Sequence, residues 1–256
     1  MKYKNKKEDV RMDFEKLNDI EDINTIDEYE QLEDWLVNTD IRYDVPNVEC
    51  AVVTGNPEKV AEKLDYVQGD EVYGAGGTCG LTSIANLCVL NGQEVTEGMV
   101  VEYALENNLC YYDPWSPADT GGTNAEQQVE LLQRFGMEAR FQEADIHNYE
   151  VLANAIDDGR GVIVELDAGT LWEEPGYKQT VFGITVANHA VTLTGVARDA
   201  ETGEIAGFYI CDSGRMLKSD ACRYVPIEKF SEAYNENILN AGAVITNQPI
   251  RSENMV

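Results

Sequence analysis

The chain has 256 residues, 43% of them apolar and 26% charged, and a formal net charge of −28 from 47 acidic against 19 basic residues. That length supports one sizeable domain with a full core. No apolar run approaches the roughly 18 residues of a membrane span, and the acidic balance repels phosphate backbones and anionic lipid surfaces, which excludes nucleic acid and a membrane span as readings.

The charge fits a basic peptide or protein substrate, and it fits a high-salt or solubility adaptation equally well. The start, MKYKNKKEDVRMDFEKL, is basic but lacks the apolar stretch of a secretory signal. Cysteines 50, 79, 88, 110, 211 and 222 show no CxxC spacing and imply no disulfide framework. The expected location is therefore cytoplasmic, or outside the cell after export without a cleaved signal peptide. Composition sets no oligomeric state.

In chain order, residues 8–45 carry dense Asp and Glu with Ile20, Ile23, Ile26, Tyr29, Leu32, Trp35 and Leu36 at three- and four-residue intervals. The spacing predicts an acidic amphipathic helical arm over 1–45, either packed on the main domain, 46–256, or detachable to cover a site or bind a partner. Helical signals follow at NPEKVAEKL, LTSIANLCVL, TEGMVVEYALENN, NAEQQVELLQRF and NYEVLANAI. Strand signals dominate later, at MEARFQ, GVIVELD, HAVTLTGVA, IAGFYICD, RYVP and GAVIT. Helices before strands predict an α+β domain with a mainly antiparallel sheet, in which residues 189–212 form a hairpin turning at RDAETGE.

Thr78 is positioned as an N-cap, which sets Cys79 at the first turn of an apolar helix. There the helix dipole favours a thiolate, the form that attacks carbonyls, and free N–H groups can hold an oxyanion. Gly76 and Gly77 admit close approach of another backbone and of a substrate. A small buried cysteine would leave the same local pattern.

The chain has two histidines. His147 lies in the polar run ADIHNYE and reads as a surface residue before a helix. His189 opens a strand, where a base for a thiol is held rigidly. With the turn centred near residue 200, residue 189 pairs with about 211 or 212, which brings Asp212 level with His189 to accept its ring N–H.

The stretches GGTCGLTSIANL, GGTNAEQQVELLQRFGMEARF, NHAVTLTGV and FYICDSG, in that order over roughly residues 68–215, resemble the papain-like cysteine peptidases. Among these they are most similar to the bacterial branch that cleaves double-glycine leaders from bacteriocins. The resemblance implies a papain-like α+β fold with the nucleophile helix packed on the sheet. It further implies Cys79 as nucleophile, His189 as general base and acid, and Asp212 as the orienting residue. That family usually carries an oxyanion-hole glutamine about six residues before the nucleophile, where this chain has Tyr73; Gln68, eleven residues before, fills the role only if the glycine-rich insertion bulges, and otherwise backbone N–H groups serve alone.

The loop CYYDPWSPADTGGTN offers Tyr112 and Trp115 as cleft-lining aromatics or as plain loop anchors, Asn188 precedes the histidine, and the stretch from Gly169 to His189 could cover the cleft. Two distant histidines and no close cysteine pair give no zinc set, the acidic stretches lack calcium-loop spacing, and GAGGTCG has no following Lys-Ser/Thr. No metal or cofactor is expected. The leading reading is a thiol hydrolase acting on protein or peptide; a glutamine deamidase or acyltransferase with the same triad, and a non-catalytic papain-like binding module, are the alternatives.

Overall fold

The computed structural model describes residues 39–55, 57–69 and 74–250. In chain order the elements are β1 (Thr39–Arg42), β2 (Ala51–Thr54), α1 (Pro57–Ala61), α2 (Cys79–Leu90), α3 (Glu97–Asn107), α4 (Ala125–Arg134), β3 (Ala139–Glu143), α5 (Glu150–Asp157), β4 (Arg160–Leu166) and α6 (Ala168–Leu171). They continue with β5 (Gln179–Val181), β6 (Ile184–Val186), β7 (His189–Asp199), β8 (Ile205–Cys211), β9 (Arg223–Pro226), α7 (Ile227–Ala233) and β10 (Gly242–Pro249). None of the described helices is long and apolar enough to cross a membrane.

One antiparallel sheet runs β1-β2-β7-β4-β10-β3, with β8 on β7 and β9 on β8. β7 organises it. Its first half pairs with β4 and its second half with β2, while β8 pairs along the opposite edge. Successive side chains of a strand point to opposite faces, and here both faces are covered. Val162 and Val164 of β4 join a core with Leu152 and Ile156 of α5 and Phe230 of α7. Ile163, between them, joins a second core with Leu81, Ile84 and Leu87 of α2, Val100 of α3 and Leu131 of α4. This is why GVIVEL reads as a continuous apolar run without polar alternation. Each such fully buried aliphatic side chain contributes about 1.5–3 kcal/mol.

The helix starts follow from local chemistry. Thr96 accepts at Oγ1 from the Met99 N–H, and Asn124 with Gln127 forms a reciprocal capping box at α4. The strand-rich second half is as expected, and the architecture is α+β.

Two expectations need correction. Residues 39–45, read as the end of a helical arm, form the edge strand β1 and a following turn, because Ile41 and its neighbours pair with Val52 and the rest of β2. The rest of the arm, residues 1–38, lies outside the described residues. The hairpin turn also falls later than residue 200. Asp199 accepts from the Glu201 and Thr202 N–H groups and Gly203 takes a positive φ of 76°, so Thr192 pairs with Cys211. Continued, that register sets Asp212 opposite Val191, two residues along from His189.

Candidate active site

Cys79 is the first residue of α2, and it is half-buried where the residues following it are buried. Thr78 precedes it but does not cap the helix with its side chain. The hydroxyl donates instead to the Glu97 carboxylate, which also accepts from Thr82 Oγ1 at 2.8 Å and the Gly69 N–H at 3.0 Å. Burial drives the Glu97 pKa upward, against the pull of these hydrogen bonds. A carboxylate at the start of α3 thereby locks the approach to α2.

His189, the first residue of β7, is buried, and its Nε2 lies 2.7 Å from Oδ1 of Asp212. A carboxylate only accepts, so Nε2 carries the hydrogen. Cys79 also acts on the imidazole, raising its pKa, and with Nε2 committed to Asp212 the nitrogen left for the thiol is Nδ1. Burial alone would lower the His189 pKa; the Asp212 charge and hydrogen bond, with the Cys79 contact, outweigh it and raise the value to about 10. Burial alone would raise the Asp212 pKa, and the His189 charge and hydrogen bond bring it down to about 2.

Sequence reasoning missed much of the setting of Asp212. Trp172 Nε1 donates to Oδ2 at 2.7 Å, the Gly214 N–H donates to Oδ1 at 2.9 Å, and Arg223 Nη1 stands 3.7 Å from Oδ2. The Trp172 ring is tilted 59° against the His189 ring with centroids 5.0 Å apart, and Trp172 and Tyr177 meet edge-on with centroids 4.9 Å apart. Trp172 lies in the stretch expected to cover the cleft above His189, but nothing in its spacing from Asp212 announces the hydrogen bond. Gly214 is small for a reason: a Cβ there would sit 2.7 Å from His189 Cε1 and 2.6 Å from Trp172 Cζ2.

Gln68 donates from Nε2 to the Gly76 carbonyl at 2.8 Å and accepts at Oε1 from Ser213 Oγ at 3.2 Å. It therefore bridges the approach to Cys79 and the residue after Asp212. A Cβ on Gly69 would meet Ala75 O at 2.8 Å and Gly76 Cα at 3.1 Å, so the chain closes on itself between these points and Gln68 meets Gly76, three residues before Cys79, despite its distance in sequence.

Gly76 and Gly77 are crossed by another backbone of the same chain. Their N–H groups donate to the Pro117 and Thr120 carbonyls, each at 3.0 Å, and a Cβ on Gly76 would strike Ala118 O at 2.8 Å. That crossing segment is the aromatic loop, and Tyr112 and Trp115 project from it at 62% and 92% exposure. Asn188 is occupied within the fold, accepting from the Ala168 N–H at 3.0 Å and donating to the Tyr177 carbonyl at 2.7 Å. It anchors the segment that carries Trp172. His147 is an exposed turn residue ahead of α5, as expected.

The Peptidase_C39 like family model matches residues 63–238. Uncharacterized proteins of Mycobacterium tuberculosis and Mycobacterium bovis are each 27% identical over 174 residues, covering 61% of this chain and 72% of theirs. Among solved structures, a C39-like peptidase from Bacillus anthracis is 16% identical with a TM-score of 0.48, covering 83% of this chain and 99% of its own. The double-glycine-motif protease of an AMS/PCAT transporter, solved with a leader peptide, is 14% identical with a TM-score of 0.41, covering 71% of this chain and 89% of its own.

Proposed function

We propose, on the premise that the chain belongs to the C39-like peptidase family and has its α+β papain-like fold, that it hydrolyses protein or peptide bonds through Cys79, His189 and Asp212. The observation that carries the reading is the 2.7 Å contact of His189 Nε2 with Asp212, which leaves the other ring nitrogen for the thiol.

In this mechanism the Cys79 sulfur passes its proton to His189 Nδ1 and attacks the carbonyl carbon, while Asp212 stabilises the imidazolium. The oxyanion is held by the backbone N–H of Cys79 at the start of α2 and by the amide hydrogen of Gln68 that Gly76 does not take. His189 Nδ1–H then protonates the departing amine, leaving a thioester. A water activated by the same nitrogen releases the acid and restores the thiol. Tyr112 and Trp115 supply apolar contact area for the substrate chain beside the glycines.

Mass spectrometry of candidate proteins incubated with the wild type and Cys79→Ala tests the reading. Expected are new termini with one solvent oxygen, dependent on Cys79. Mass gain without scission would assign a deamidase, adducts between chains a transferase, and an unaltered substrate set a binding module; each overturns the peptidase assignment.

A further inference from the structure

Beside the candidate site, the structure holds a cavity of about 710 Å³. Thr123 lines it, and a Cβ on Gly80, the residue after Cys79, would lie 2.2 Å from Thr123 Oγ1. Ala187, two residues before His189, lines it too, as does Glu165, whose strand neighbour Leu166 pairs with His189. The cavity is thus lined by residues that abut the start of α2, through Thr123 against Gly80, and that pair with the start of β7, through Glu165 opposite Ala190.

Its charge is one-sided. Glu126 of α4, Glu143 of β3, Glu165 of β4 and Glu236 line it, and among the described residues no Lys, Arg or His does. Phe141, Ile238 and Leu239 add apolar wall suited to an alkyl stem. Glu165 accepts from Gln128 Nε2 at 2.6 Å, and Gln128, itself 1% exposed, has an Oε1 with no hydrogen-bond partner among the described residues. A carboxylate lining the cavity, held from behind by the Gln128 amide and flanked by three more carboxylates, is chemistry for an N–H-rich cation.

The geometry points to this cavity as a specificity pocket that takes a lysine or arginine side chain of the substrate close to the bond attacked by Cys79, with Glu165 as the counter-charge. The assignment rests on the peptidase reading for its role in cleavage, but not for binding. Burial places the Glu165 pKa at about 7, with the Gln128 hydrogen bond opposing the rise, and the carboxylates of Glu126, Glu143 and Glu236 face the same space. An incoming cation meets a group ready to ionise.

Two measurements decide it. In the first, Cys79→Ala protein is titrated by NMR with Nα-acetyl-lysine methylamide and with its norleucine analogue. Roughly tenfold tighter binding of the lysine probe is expected, with shifts at residues 123–126 and 238–241, strengthening as pH rises through about 7 and lost on adding Glu165→Gln. The pH series needs no change at Glu165 and so stands if that variant fails to fold. Equal binding of the two probes, or a lysine preference flat in pH, overturns the proposal. In the second, wild type and Glu165→Gln are compared on a peptide library. Cleavage near Lys or Arg that falls roughly tenfold in the variant supports the pocket, and cleavage indifferent to these residues overturns it. If nothing is cleaved, the peptidase reading fails, while the lysine and norleucine titrations still support or overturn the pocket on their own.

Discussion

His189 and Asp212 meet at 2.7 Å without standing opposite each other in the sheet. With Thr192 paired to Cys211, the aspartate emerges past the end of β8 and reaches back diagonally to the start of β7, a span that side chains on one face of neighbouring strands can close. Its second oxygen is fixed by Trp172.

Asp212→Asn keeps the shape and removes the charge. Burial then acts on the imidazole against the Cys79 contact alone, so its pKa is expected to fall well below about 10, read by NMR titration of His189. Turnover should drop roughly a hundredfold or more. The stability sign follows from both shifts. The raised His189 value stabilises the fold fully below about 6.5 and loses this as pH rises through about 10; the lowered Asp212 value stabilises it above about 3.8 and loses this as pH falls through about 2. The stability gap between wild type and Asp212→Asn, from urea titrations, should therefore be widest between those inner limits.

Trp172→Phe removes the indole donor and keeps an aromatic ring against His189. Leaving Asp212 Oδ2 short of a donor should cost about 1–3 kcal/mol of stability. Trp172 is a positioning residue, so kcat should fall about tenfold with KM little changed, and the His189 titration should shift with it. A loss of stability with an unchanged titration would reduce Trp172 to packing alone.

Gly214→Ala places a methyl group against His189 and Trp172 at contact distances no folded side chain tolerates. Both rings are packed, so the base must move. Activity should fall about a hundredfold while the melting temperature changes by only a few degrees, a split visible by pairing a kinetic assay with thermal unfolding.

Iodoacetamide applied to the native protein should modify Cys79 ahead of Cys88, Cys110 and Cys211. Those three are buried, and burial pushes the Cys88 thiol up to about 12 and Cys110 to about 11. Replacing His189 by Ala should slow modification at residue 79 and leave the others unchanged, as peptide mapping would record.

The elements were legible where periodicity and turn chemistry agreed. The meeting of His189 with Asp212 was legible because histidine is scarce here and one of the two opens a strand. The register was misjudged, yet Asp212 survived the error: displacement by two residues keeps a side chain on the same face, whereas displacement by one would have turned it away. Trp172 and Arg223 gave no local signal, since their meeting with Asp212 is produced by the packing of α6 and β9 around the end of the sheet. Thr78 misled because a cap-forming residue found a buried carboxylate, Glu97, more than a helix turn of sequence away. Gly76 and Gly77 revealed a close approach but not by whom; the partner is the chain's own loop at Pro117 and Thr120.

β7 is braced on both edges over most of its length, and His189 is its first residue. A beam held by three neighbours does not fray alone, so the imidazole is expected to hold its place until the whole sheet melts. In rising denaturant, loss of turnover and loss of amide protection in β7 should coincide, and any earlier loss of turnover would trace to the edges of the cleft and not to its central strand.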